Sequence, residues 1–183
     1  MTSPASSYYE NIIRGSLSYR LRYRQHRWPK VCSANQIRVF SWEHSRDLFT
    51  YRKGSLTVRK TESHPSWQVP EEYLTPIHIS LSRKQEAALR AALREVPFSR
   101  LRSTPVSFVN LMSDAMITEN FRCRLPMGLT YQYVDRHSCQ ALAPLEKALL
   151  AIAETSDQYR EITRMEPWLF SEKRWAQLHP HSK

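Results

Sequence analysis

The chain has 183 residues, 41% apolar and 11% aromatic, with a formal net charge of +10; this fits one globular unit with a sizeable core and excludes wholesale disorder. Only 3 glycines are present, which weighs against a glycine-rich phosphate loop, because side chains block the backbone approach such loops need; neither a Walker A nor a G-x-G-x-x-G pattern occurs. No run of about 18 apolar residues is available to span a bilayer, and residues 1–13 are too polar for a signal peptide, so an intracellular, cytoplasmic protein with no membrane association is expected.

The charge is concentrated at one end. Residues 1–60 hold 12 Lys+Arg against 3 Asp+Glu, and residues 61–183 hold 15 against 14. A local positive field of that kind attracts phosphates, acidic lipid surfaces or an acidic protein face.

Taken in chain order, the first element is a short helix over 8–14, with Tyr9, Ile12 and Ile13 on one face and Gly15 as its stop. The segment 16–30 reads SLSYRLRYRQHRWPK. As a strand it places Leu17, Tyr19, Leu21 and Tyr23 on one face and Ser18, Arg20, Arg22 and Arg24 on the other, whereas a helix would mix the two sets. Further strands are expected over 36–42, 48–52 and 55–60, with Lys53-Gly54 as a hairpin turn. The proline-bearing stretch 61–76 reads as a surface connection, and 77–81 as another strand of the same sheet.

Helix signals are clearest over 82–95, where Ser82 and Gln85 have capping-box spacing and Ala88, Leu89, Ala92 and Leu93 form an apolar face. Val96-Pro97 stops it. A strand over 105–110 is expected, then a hairpin of 121–125 and 129–134 about Pro126-Met127-Gly128, with Leu129, Tyr131 and Tyr133 alternating against Thr130, Gln132 and Val134. Ala143-Pro144 opens a second helix, 145–154, with Leu145, Leu149 and Ile152 inward. The expected fold class is α+β: a mainly antiparallel sheet with a basic N-terminal strand region, packed against two principal helices. Residues 1–156 make one domain, and 157–183 a C-terminal aromatic-rich helical tail, with Ser171 capping a helix.

Catalytic and metal patterns are lacking. Asp135-Arg136-His137-Ser138-Cys139 gathers reactive side chains, but adjacent loop residues do not build a nucleophile, a base and a third group that orients the base. The seven histidines show no metal-ligand spacing, and Cys32, Cys123 and Cys139 give no disulfide framework or C-x-x-C pair. No cofactor is expected, and the chain does not read as an enzyme.

What rises above this background is the basic stretch. Arg20, Arg22 and Arg24, continued by His26, Arg27 and Lys30, would form a row with about 7 Å between alternate strand residues. Guanidinium groups suit phosphate because they stay charged and fork two hydrogen bonds. The expectation is a non-enzymatic binding protein that engages a polyanion, nucleic acid foremost, as an accessory subunit of a nucleoprotein complex. The alternative is a protein-interaction module (an inhibitor, immunity protein or adaptor) that meets an acidic partner with the same residues or offers Trp168, Phe170 and Trp175 of the tail.

Overall fold

The computed structural model describes residues 27–44, 46–61, 70–102, 119–135 and 139–169. Six strands form one sheet: β1 (Val39–His44), β2 (Asp47–Arg52), β3 (Ser55–Lys60), β4 (Ile77–Ser80), β5 (Glu119–Arg124) and β6 (Thr130–Asp135). Their spatial order is β4-β3-β2-β1-β5-β6, and every neighbouring pair is antiparallel. The α+β class and the mainly antiparallel sheet are thus as expected. The basic strand expected over 16–30 falls on residues up to 26 that lie outside those described, as do the helix over 8–14 and the strand over 105–110.

Alternation makes the sheet one-sided. Phe40 pairs with Tyr51 and Cys123, and Trp42 pairs with Phe49 and Phe121. All six point to the same face and are buried, together with Leu56, Val58, Ile77, Tyr131 and Tyr133. Rings line this face in contact: Phe40 lies 5.2 Å from Tyr51 and 5.5 Å from Phe121 between centroids. Trp28 closes one end by stacking on Phe98 at 4.6 Å and meeting Tyr131 edge-on at 5.1 Å, an arrangement that adds to simple area burial.

The helices lie on that inner face. Helix α1 is the single turn Glu71–Leu74, α2 is Arg83–Glu95, α3 is Ala143–Ala153 and α4 is Asp157–Leu169. Helix α2 begins as its sequence dictates: the Gln85 amide donates to Ser82 Oγ at 3.2 Å, and the Ser82 amide donates to Gln85 Oε1 at 2.9 Å. Proline stands in the first turn of α3, where its missing N–H costs nothing. Leu89, Leu93, Leu145, Leu149 and Ile152 join the sheet's apolar rows in one buried cluster.

Several boundaries differ from expectation, each for a local reason. The strand expected over 36–42 starts at Val39, because residues 34–36 close a 3-10 turn in which Gln36 Oε1 accepts from the Ser33 amide at 2.8 Å. The stretch expected to be a plain connection contains α1, which turns Tyr73 into the core. The hairpin tip at Pro126-Met127-Gly128 puts Met127 at φ 60° and Gly128 at φ 71°, left-handed geometry that glycine tolerates and methionine does not favour. In β6 both parities are buried, with Gln132 and Val134 enclosed as well as Tyr131 and Tyr133, while Leu129 is exposed. The C-terminal helical region forms at 157–169, ahead of Ser171, which lies outside the described residues. Tyr159 and Ile162 of α4 belong to the common buried cluster.

Candidate functional site

Two sets of charged side chains stand out, one on each face of the sheet. On the outer face, alternation exposes arginines of β2, β3 and β5, although Gln132 and Val134 of β6 are enclosed there. Arg52 of β2 and Arg124 of β5 both pair with Val39 of the intervening β1, so they sit two strands apart, about 10 Å at the usual strand spacing. Arg122 lies two residues along from Arg124, about 7 Å away on the same face, and Arg59 of β3 stands opposite Leu48 of β2. All four arginines are exposed, and among the described residues none is ion-paired.

Ser41, Thr50, Thr57, Ser55, His78 and Ser80 fill much of the remaining surface, with Thr57 Oγ1 3.0 Å from His78 Nδ1. Glu43 is the one described strand carboxylate on this face. No Phe, Tyr or Trp side chain projects there from the described strands. The described surface is therefore positively charged and rich in donors, and the one ring on it is the His78 imidazole beside Thr57.

On the inner face a charged row follows the two apolar rows. Register brings Lys60, Asp47, His44, Glu119 and Asp135 side by side across β3, β2, β1, β5 and β6. Each continues the inward parity of its strand by one further step: Phe40 and Trp42 lead to His44, and Leu56 and Val58 lead to Lys60. The helices complete the row. Lys60, only 3% exposed, places Nζ 2.9 Å from both Asp47 Oδ1 and Glu166 Oε1 of α4, and 4.8 Å from the centre of the Tyr159 ring. The Tyr159 hydroxyl donates to Asp47 Oδ2 at 2.9 Å, and the Tyr73 hydroxyl to Glu166 Oε1 at 3.0 Å. The Tyr133 hydroxyl donates to Asp135 Oδ2 at 2.6 Å.

Burial, aided by the neighbouring carboxylates, pushes the phenols of Tyr73, Tyr133 and Tyr159 well above the usual tyrosine range. They are hydrogen-bond donors throughout the physiological range. Burial likewise pushes the Cys123 thiol up to about 12, which makes it an inert packing group.

Of the residues singled out by the sequence, Arg27 and Lys30 are exposed, but Arg27 lies in an irregular segment and Lys30 in a turn. They do not prolong a strand, because Trp28 anchors this segment against Phe98 and Tyr131. Arg20, Arg22, Arg24, His26, Phe170 and Trp175 lie outside the described residues, and Trp168 falls in the last turn of α4. Of the 135–139 cluster, Asp135 is engaged by Tyr133 and Cys139 is half-buried; residues 136–138 are not described. The outer arginines and the inner charged row were not foreseen. Both follow from parity: each lies on a strand whose apolar residues already fix which face is inward.

Among the described residues no group of three or more His, Cys, Asp or Glu side chains is arranged to hold a metal ion, and no helix is long and apolar enough to cross a membrane. No family model, no characterised protein and no solved structure matches this chain. What fold and surface define is a class: an α+β unit whose helices cover one sheet face and leave arginines on the other.

Proposed function

We propose that this protein is a non-enzymatic binding protein whose basic sheet engages a polyanion, with nucleic acid as the ligand and an accessory place in a nucleoprotein assembly as its setting. The observation that carries the reading is the outer face, where Arg52, Arg59, Arg122 and Arg124 are exposed beside a single strand carboxylate. Their spread over β2, β3 and β5 makes a patch rather than a line. Phosphates can meet it through forked guanidinium hydrogen bonds, with the serine and threonine hydroxyls as added donors. With no Phe, Tyr or Trp among the described strand residues of this face to stack bases, the patch recognises the backbone, and binding is insensitive to sequence. The basic N-terminal residues Arg20, Arg22, Arg24, His26, Arg27 and Lys30 add to the chain's net positive charge, which favours association with a polyanion.

The test is anisotropy of labelled single- and double-stranded DNA and RNA at several salt concentrations. If the four arginines each neutralise one phosphate, affinity falls about 150-fold between 50 and 200 mM salt, and each arginine replaced lowers the slope by about 1. Failure to bind any nucleic acid at low salt would transfer the surface to an acidic protein partner, to be sought by affinity capture that survives nuclease.

A further inference from the structure

His44 stands at the centre of the inner charged row with a carboxylate at each ring nitrogen. Nδ1 lies 3.3 Å from Glu119 Oε1 of β5, and Nε2 lies 3.2 Å from Glu146 Oε1 in the first turn of α3. The ring also stacks on Trp42, with centroids 4.8 Å apart. A neutral imidazole carries one N–H, so one of its nitrogens would turn a lone pair toward a carboxylate. Only the imidazolium sets a proton and a positive charge against both, the Nδ1 approach to Glu119 being an ion-pair contact and not an aligned hydrogen bond. Stacking over the negative face of an indole favours the same charged form.

The surrounding charges agree. Asp47 of β2 faces His44 from the other side; Lys60 of β3 lies beyond Asp47, and Asp135 of β6 beyond Glu119. The described row with its helical partners Glu146 and Glu166 thus contains five carboxylates for one lysine and one histidine, a setting in which a second cation is strongly favoured. The proton affinity of His44 is raised above its ordinary value near 6.5, chiefly through Glu119, with Glu146 and Asp47 adding and burial opposing.

The two carboxylates are unequal. Glu119 is 1% exposed and Glu146 33%. When His44 loses a proton, its remaining N–H must stay with the carboxylate that cannot reach water, since an unpaired buried charge is the costlier outcome. Glu146 can turn outward. We propose that His44 is a proton-operated latch between the sheet and the first turn of α3: as imidazolium it bridges Glu119 and Glu146, and on deprotonation it keeps Glu119 and releases Glu146. Helix α3 stays docked through Leu145, Leu149 and Ile152, and the 3-10 turn before it through Leu142. What is released is the Glu146 side chain, and with it one tie on the first turn of the helix.

The sign follows from linkage. A histidine whose proton is held more tightly in the fold contributes its full stabilisation below pH 6.5, and that contribution is lost as pH rises through the elevated folded-state value. Two readings on the intact chain test the latch: the NMR titration of the His44 ring, and hydrogen exchange at amides 147–149, which bond back to the carbonyls of the first turn, divided by that at amides 89–93 of α2, a ratio that cancels the pH dependence of the exchange chemistry. The expected result is a His44 midpoint above 6.5, relative protection of 147–149 falling by up to tenfold per pH unit between 6.5 and that midpoint and levelling off above it, and a midpoint lowered by Glu146→Gln. A midpoint at or below 6.5 overturns the proposal. A raised midpoint with a flat protection ratio from pH 5.5 to 9 overturns it too, since His44 would then be paired without holding the helix.

Discussion

The two faces of this sheet use the same kinds of residue for opposite ends. Arg59 and Lys60 are neighbours in the chain, both cationic and both on β3, yet Arg59 is exposed on the outer face while Lys60 is 3% exposed between Asp47 and Glu166. One step of alternation separates them. On the inner face a charge is tolerated only because two or three partners from different elements converge on it, and it thereby ties α1, α3 and α4 to the strands. On the outer face the four arginines are exposed and, among the described residues, none is paired with a carboxylate. A cation in a strand thus says little by itself; its parity relative to the apolar rows says what it is for.

The sharpest way to break this contrast is to neutralise the neighbours one at a time. Lys60→Met keeps most of the side chain's volume but leaves Asp47 and Glu166 facing each other across a buried site, and should lower unfolding stability by about 3–5 kcal/mol. Arg59→Met should change it by no more than about 0.5 kcal/mol. Urea denaturation of the two variants measures both; equal losses would mean that the faces are not distinguished as described. The reverse pattern is expected in binding. Joint replacement of Arg52, Arg122 and Arg124 by Glu should reduce nucleic-acid affinity by at least about 100-fold at 50 mM salt, following the counterion arithmetic of three lost phosphate contacts. The midpoint in urea should stay close to wild type. Unchanged affinity in a folded triple variant would remove the outer face from the proposed function.

How far the sequence could be read follows the same division. Elements whose local chemistry agrees with their tertiary role were legible: α2 from its Ser82 and Gln85 cap, the β2–β3 hairpin from Lys53-Gly54, and the inward faces of β5 and β6 from alternating Phe121, Cys123, Tyr131 and Tyr133. Helix α1 was not, because one turn flanked by prolines has no periodicity to detect; it exists through Tyr73 reaching the core and Glu166. The charged inner row was overlooked because charge usually marks the end of a strand's buried part, and here the inward parity continues one residue past the last apolar side chain. Its meaning depends on Glu146 and Glu166, residues about 100 positions away in sequence whose arrival at His44 and Lys60 no local pattern announces. The outer arginines follow from strand parity, but in the sequence they are scattered singly over three strands and stand out less than the denser arginine row at 20–24.

A smaller perturbation separates the permanent part of the inner row from the part that titrates. Tyr159→Phe retains the ring that lies 4.8 Å from Lys60 Nζ and removes only the hydroxyl that donates to Asp47 Oδ2. The loss should be about 1–2 kcal/mol, that of a hydrogen bond to a charged acceptor in a partly buried site. Because burial holds the Tyr159 phenol protonated far above neutrality, the difference between variant and wild type should be the same at pH 5.5 and at pH 8.5. His44→Gln behaves otherwise: its cost should be largest at pH 5.5, where the wild-type imidazolium engages both carboxylates, and should shrink toward pH 8.5 as the wild type itself loses the second contact. Stability curves for the two variants at the two pH values therefore divide the row. A pH-dependent Tyr159→Phe penalty would show that Asp47 and Lys60 share the proton-linked change at His44, and the row would then be one coupled unit instead of a fixed clamp beside a movable one.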